Sequence, residues 1–267
     1  LPPAIEKNVL AHYNLDLPLW QQYFKYVGGL VQGDFGPSFR VRDFTVAELI
    51  ASGFPASLQI GGAAIFLAIL IGISLGAFAA LRQNTAVDYA VMGIAMTGIA
   101  VPNFVMAPLL TLVFGVYMSL LPVAGWGDGA LANKILPVVA LALPQIAYIS
   151  RLTRGSMVEV MNANYVRTAR AKGLREQLVV VRHALKGALL PVVSYLGPAT
   201  AAVVTGSVVI ESIFRIPGIR RYFIEGALNR DYTLVMGVMI FYAVLIIVLN
   251  LVVDLLYAVL DPKVRYV

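Results

Sequence analysis

The sequence predicts an all-α protein that crosses a membrane several times. Two observations carry this. Of 267 residues, 60% are hydrophobic and 13% charged, whereas an ordinary soluble domain holds about 45–50% apolar and 25% charged residues. The charges are also clustered: 33 uncharged residues separate Glu48 from Arg82, and 39 separate Asp88 from Asp128. A bilayer-spanning helix needs roughly 20 apolar residues, and a soluble core has no use for uncharged stretches this long. A secreted enzyme, a disordered chain and a nucleic-acid binder are excluded on that ground.

Residues 1–56 read as an external segment with interfacial helices. Pro18 suits a first helical position, and Trp20, Phe24, Val27 and Val31 recur at helical spacing. An amphipathic, aromatic-rich stretch beside a span is the composition of a helix lying on the membrane surface. Gly33-Asp34-Phe35-Gly36-Pro37 reads as a turn. Thr45 with Glu48 forms a capping-box pair that opens a short apolar helix.

Residues 57–267 read as the membrane domain, with five charge-poor spans at about 57–81, 89–120, 135–154, 187–210 and 233–260. Within the first, Gly72-Ile73-Ser74-Leu75-Gly76 matches a hydrolase nucleophile elbow. That motif needs a strand-to-helix turn and a histidine partner, and the same residues spell the Gly-x-x-x-Gly of close helix packing, which is the better reading. The second span is longer than a membrane requires, so a tilt, an interfacial extension or a kink near Pro102 or Pro108 is expected. The third holds only 16 uncharged residues between Lys134 and Arg151, so its end charges must snorkel. Thr97, Asn103, Ser194, Thr205 and Ser207 are uncharged polar groups suited to lining a path, or to bonding between helices.

Orientation follows from Lys and Arg near the span ends. The loop 151–186 holds eight of them (Arg151, Arg154, Arg167, Arg170, Lys172, Arg175, Arg182 and Lys186) against Glu159 and Glu176. Placing it inside gives 11 basic residues inside against 9 outside, with Arg82, Lys263 and Arg265 among the former. The C-terminus is then cytoplasmic and the N-terminus external. The first 56 residues show no signal-peptide pattern, so one more span is expected upstream of Leu1, six in all. A complete reading frame starting at Leu1 would contradict that.

The chain has no cysteine, and His12 and His183 sit in no metal-binding pattern. It has no phosphate-cradling Gly-x-x-x-x-Gly-Lys motif, so any ATP that drives it is bound elsewhere. Asp254 is the only carboxylate inside a predicted span, which argues against proton coupling. Neither a paired nucleophile and base nor a repeated filter element stands within the spans, against an intramembrane enzyme and against a self-sufficient channel or carrier.

The centre of the basic loop reads Tyr165-Val166-Arg167-Thr168-Ala169-Arg170-Ala171-Lys172-Gly173-Leu174-Arg175. Ala, Arg and Lys favour a helix that Gly173 is placed to end. A short helix between two long ones is either a peg for a soluble partner or a solvated positive-inside loop.

This stretch, continued by Arg182-His183-Ala184-Leu185-Lys186, resembles the cytoplasmic loop of peptide-branch permeases of ABC importers. Four further matches follow in order: Gly33–Phe39, Glu211–Ile219, Asn229-Arg230-Asp231-Tyr232 and Leu260-Asp261-Pro262-Lys263. Together they are most similar to the first-subunit (B) type of the oligopeptide branch. The resemblance implies a type I importer membrane domain that moves oligopeptides inward by alternating access, and no catalysis in this chain. It implies as partners a second, homologous permease, two cytoplasmic ATPases that bind ATP and Mg, and an external peptide-binding protein, in a bacterial inner membrane. Residues 167–175 would be the coupling helix. Arg215, Arg220, Arg221 and Glu225 would contact the binding protein or form an outer gate. The family's Glu-Ala-Ala is here Arg167-Thr168-Ala169, as in the peptide and nickel branch, with the glycine kept as Gly173. Permeases for dipeptides, glutathione or chelated nickel remain alternatives.

Overall fold

The computed structural model describes residues 16–41 and 43–260. His12, Asp261, Pro262, Lys263 and Arg265, on which some of the readings above rest, lie outside them. The elements in order are α1 (Leu19–Val31), α2 (Val46–Leu81), α3 (Ala86–Ala100), α4 (Asn103–Leu110) and a π-helical turn (Thr111–Tyr117). After these come α5 (Leu131–Met161), α6 (Asn164–Ala171), α7 (Glu176–Leu178), a second π segment (Val179–Ala184) and α8 (Leu185–Ala188). The chain closes with α9 (Leu190–Val204), α10 (Val208–Ile213), α11 (Arg220–Leu228) and α12 (Tyr232–Leu260). Among the described residues, four stretches are long and apolar enough to cross a membrane (α2, α5, Leu190–Ile213 and Tyr232–Ala258), and the count is five if the bent pair of Ala86–Ala100 and Asn103–Tyr117 is one broken span rather than a re-entrant loop.

Several spans differ from their expected bounds. The helix opened by Thr45 and Glu48 is not short. The capping box forms, with the Glu48 carboxylate accepting from Thr45 N at 2.8 Å, but the helix it opens runs 36 residues, through Pro55. The boundary drawn at 56/57 therefore falls within α2. α5 extends seven residues past Arg154, because nothing in Gly155–Met161 breaks a helix and Met157 is buried. The second span is not merely kinked: α3 and the Asn103–Tyr117 helix meet at 104°. Pro102 drives the preceding residue out of the helical region, and Val101 is extended at φ −97° and ψ 117°. The fourth span is broken at Thr205–Ser207, where Gly206 has φ +88°. α10, which follows, brings Glu211 into the span, buried and accepting from Ser57 Oγ at 2.7 Å. Asp254 is therefore not the only carboxylate in a span; Asp88, within α3, is fully buried as well.

Contacts divide the described residues into two compact units, 16–55 with Gly218–Ala243, and Ala56–Pro217 with 244–260. In the first, Val46, Leu49, Ile50, Ile219, Tyr222, Leu234 and Val238 form the core. Trp20, Tyr23, Phe24 and Val31 of α1 are exposed, which leaves the predicted aromatic stripe uncovered by the described chain. Pro18 is the N-cap rather than the first helical residue, its carbonyl accepting from Gln21 and Gln22.

The Gly33–Pro37 turn forms, with both glycines at positive φ, and it delivers Ser38 to Asp231. The Asp231 carboxylate caps α12 by accepting from Leu234 N at 3.1 Å and Thr233 Oγ1 at 3.0 Å. It also accepts from Ser38 Oγ at 2.5 Å and Arg40 N at 3.2 Å. Burial works against its charge, but the hydrogen bonds from Ser38, Leu234, Phe39 and Thr233 prevail and hold its pKa below the ordinary value. A depressed carboxyl stabilises the fold above its unfolded pKa, near 3.9, and loses that contribution as pH falls through the folded value. Asp231→Asn should cost on the order of 2 kcal/mol. Melting curves of the protein in detergent should show a lowered midpoint that varies less between pH 5 and pH 3 than that of the wild type.

The second unit packs by close helix approach. A Cβ on Gly72 would come within 2.8 Å of Ile149, and one on Gly76 within 2.5 Å of the Ser150 carbonyl, so this pair seats α2 on α5. Ser74 bonds its own helix at Leu70 O, which settles the elbow motif as packing. Gly61 makes the same kind of approach to Val203 and Val204 of α9.

Candidate functional site

The basic loop is a built structure. α6 buries Val166 and Ala169, three residues apart and therefore on one face. They join Ala80, Met157, Val179, Ala184 and Ala188 in a small core that Leu174 packs against. The rest of the segment faces outward: Arg167, Thr168, Arg170, Ala171, Lys172, Gly173 and Arg175 are all exposed, and five of the seven are polar or charged. Of the nine residues expected to couple, Ala169 and Leu174 thus anchor the segment and the other seven are presented outward.

The end of α6 explains the glycine. Gly173 N donates to Arg170 O at 2.9 Å and Leu174 N to Ala169 O at 3.4 Å. This paired pattern closes a helix through a left-handed residue, and Gly173 has φ +76°. A Cβ there would meet nothing within 4 Å, so within this chain the backbone conformation, and not a tight fit, requires glycine. Beyond the turn, Arg170 Nη2 meets Glu176 Oε1 at 2.7 Å. The guanidinium holds the Glu176 carboxyl below its ordinary pKa. Both partners are exposed, so the pair contributes little stability; its effect is to fold the segment back on itself. An open cleft of about 620 Å³ lies beside it, lined by Leu81, Gln83, Met161, Arg170, Glu176 and Val180 among others.

A second feature escaped the sequence reading. Arg154 on α5 forms a two-pronged ion pair with Asp88 on α3, Nε to Oδ1 and Nη2 to Oδ2, both at 2.6 Å. Asp88 also accepts from Asn84 N at 2.9 Å, and its own N–H bonds the N-cap Thr85 at 3.4 Å. Thr85-x-x-Asp88 is a capping pattern visible in the sequence, but a partner 66 residues away is not. The pair ties α3 to α5 seven residues before α5 ends, or about 10 Å along the helix.

The expected path residues stand on three stretches of the chain, α3–α4, α9 and the start of α10. Thr97 bonds Ile94 O, Ser194 bonds Leu190 O and Thr205 bonds Ala202 O, each within its own helix rather than between helices. Ser207 is the N-cap of α10, and Asn103 is the first residue of α4. Of the residues expected at the outer face, Arg221 lies over the Tyr222 ring at 4.6 Å and donates to its hydroxyl at 2.7 Å. Arg215 is exposed with φ +51°, Glu225 is exposed and Arg220 half-buried.

Comparison with known proteins places this architecture. The family described as "Binding-protein-dependent transport system inner membrane component" matches residues 72–266. The chain is 54% identical over 266 residues to the oligopeptide transport system permease protein OppB of Escherichia coli K12, covering 100% of this chain and 87% of that protein. It is 45% identical over 262 residues to the dipeptide transport system permease protein DppB of Bacillus subtilis, covering 98% and 84% respectively. Among solved structures, the inward-facing MetNI methionine ABC transporter aligns with a TM-score of 0.65 at 16% identity, over 80% of this chain and 97% of that one. That likeness concerns the fold, the type I importer membrane domain expected from the sequence. The chain belongs to the family of binding-protein-dependent transport system inner membrane components.

Proposed function

We propose that this chain is a membrane permease subunit of an ATP-driven importer that carries oligopeptides into the cytoplasm. It is a conduit and not an enzyme. The observation that carries the reading is the α6 segment, whose buried face fixes it to the ends of α2 and α5 while seven residues, five of them polar or charged, point outward. The near-full-length identity to an oligopeptide permease supports the substrate class, and the dipeptide permease relative supports shorter peptides as the second reading. In this account the chain sits in a bacterial inner membrane with its C-terminus cytoplasmic. It pairs with a second, homologous permease and with two ATPases that hold ATP and Mg, and an external binding protein delivers peptide near Arg215, Arg220, Arg221 and Glu225.

The mechanism is alternating access. ATP draws the ATPases together, and each pulls on the outward face of a permease segment equivalent to 167–175. A partner that bound both states of the bundle equally would shift nothing, so the ATPase must grip the segment differently in the two. Because α6 follows α5 after a two-residue turn, and α5 is pinned to α3 by Arg154 and Asp88, a displacement of α6 is passed to α3 rather than absorbed.

Gentle-detergent purification from native membranes, with ATPase assay, tests the reading. A second permease and two kinds of ATPase chain, or two copies of one, should come down with it, and hydrolysis should rise with binding protein and peptide. Recovery as a lone chain or homo-oligomer without nucleotide hydrolysis contradicts it.

A further inference from the structure

If the chain passes peptides, some side chains along the path must meet a peptide backbone. The hydroxyls of Thr97, Ser194 and Thr205 spend their one donor on their own helices, which leaves them only acceptor positions for a peptide. A free donor stands instead between the facing surfaces of α5 and α9. Tyr195 donates its hydroxyl to Gln145 Oε1 at 2.7 Å, across the two helices. The Tyr148 ring lies 5.7 Å from that of Tyr195, tilted by 32°, and Tyr148 is 42% exposed.

The chemistry of this group suits a peptide. With its oxygen engaged, Gln145 keeps an amide NH₂ that donates to no partner among the described residues, and such a donor is the natural complement of a backbone carbonyl. The two rings offer a flat apolar face that side chains of many shapes can lie against. Gln145 and Tyr148 stand in the uncharged stretch between Lys134 and Arg151, so α5 itself brings no charge to the site. A half-buried amide with an open donor and a tyrosine exposed at 42% inside a span are costly against hydrocarbon, and their natural setting is a water-filled path. We infer, resting on the importer reading above, that Gln145, Tyr148 and Tyr195 form a peptide-contact site on the translocation path, with Gln145 meeting the backbone and Tyr148 the side chains.

The test uses the assembled importer in proteoliposomes, with a photoreactive benzoylphenylalanine in place of Tyr148 and a labelled pentapeptide. Irradiation with ATP, Mg and binding protein present should attach label to this chain. Adducts to lipid alone, or to the partner permease alone, overturn the proposal. Uptake competition gives a second reading: Tyr148→Ala should lower import of aromatic peptides relative to alanyl peptides by roughly three- to tenfold. An unchanged ratio overturns the side-chain role. In a merely structural role, Gln145→Leu and Tyr195→Phe would lower stability equally and leave peptide preference as it was. A wild-type complex that takes up no peptide contradicts the importer reading itself, and this proposal with it.

Discussion

Asp88→Ala and Arg154→Ala should each strip the protein of much of its stability in the membrane. Asp88 is fully buried and Arg154 is 27% exposed, so Arg154→Ala leaves a buried carboxylate without its partner, and Asp88→Ala leaves a part-buried guanidinium without one. Breaking a buried pair in this way costs about 3–5 kcal/mol, a large part of the stability of an ordinary fold. Asp88→Ala also deprives Asn84 N of its acceptor. The expected result is a sharply lower melting midpoint in detergent and reduced membrane levels for each single variant. Asp88→Leu combined with Arg154→Leu should recover much of the loss, because a well-packed apolar pair avoids the desolvation cost altogether. Single variants as stable as the wild type would show that the pair does not hold α3 to α5. In the recovered double variant, peptide uptake per ATP hydrolysed should fall, since an apolar pair lacks the directional two-pronged bond that makes α3 follow α5.

Gly173→Val should uncouple ATP hydrolysis from uptake while leaving the chain in the membrane. The left-handed turn at φ +76° costs an L-residue about 1–2 kcal/mol, enough to depopulate the closed turn roughly tenfold. A β-branched side chain is worse than most. Because a side chain here meets open space within the chain, the damage comes from the backbone and from whatever docks outside. Gly173→Asn separates the two. Asn tolerates the left-handed region, so it should preserve uptake if the turn alone matters and lose it if a partner needs the surface free of a side chain. Paired measurements of uptake and ATPase rate on the reconstituted complex read this directly, and normal uptake by Gly173→Val would contradict the coupling role.

Local rules were legible in the sequence. The capping box at Thr45 and Glu48, the glycine turn at 33–37, the Gly72/Gly76 packing pair and the helix stop at Gly173 were all readable, because each depends on residues within a few positions. The spans were legible from charge-free length. What the sequence hid were consequences of distant contacts. Asp88 and Asp231 look like ordinary capping residues until Arg154 and Ser38 arrive from 66 and 193 positions away. Glu211 looked like a loop residue, because only the fold shows that the helix resumes after Gly206 and takes the carboxylate inward to Ser57. The same limit explains the path residues. Polarity within a span was visible, but whether a hydroxyl bonds its own turn, a neighbouring helix or a passing peptide depends on rotamer and neighbour. Gln145 and Tyr195 were passed over for that reason: either is unremarkable alone, and they become a candidate site only as a pair.

The central claim is that the 167–175 segment is where an ATPase grips this chain. Residues 1–267 hold no cysteine, so a single Lys172→Cys substitution, at an exposed position at the end of α6, places one thiol among them, and the same complex without the substitution gives the background. In the assembled complex a short bifunctional reagent should join it to an ATPase subunit, in a yield that changes between the nucleotide-free and ATP-bound states. A thiol that reacts freely with a soluble maleimide in both states, and never joins an ATPase, would contradict the account.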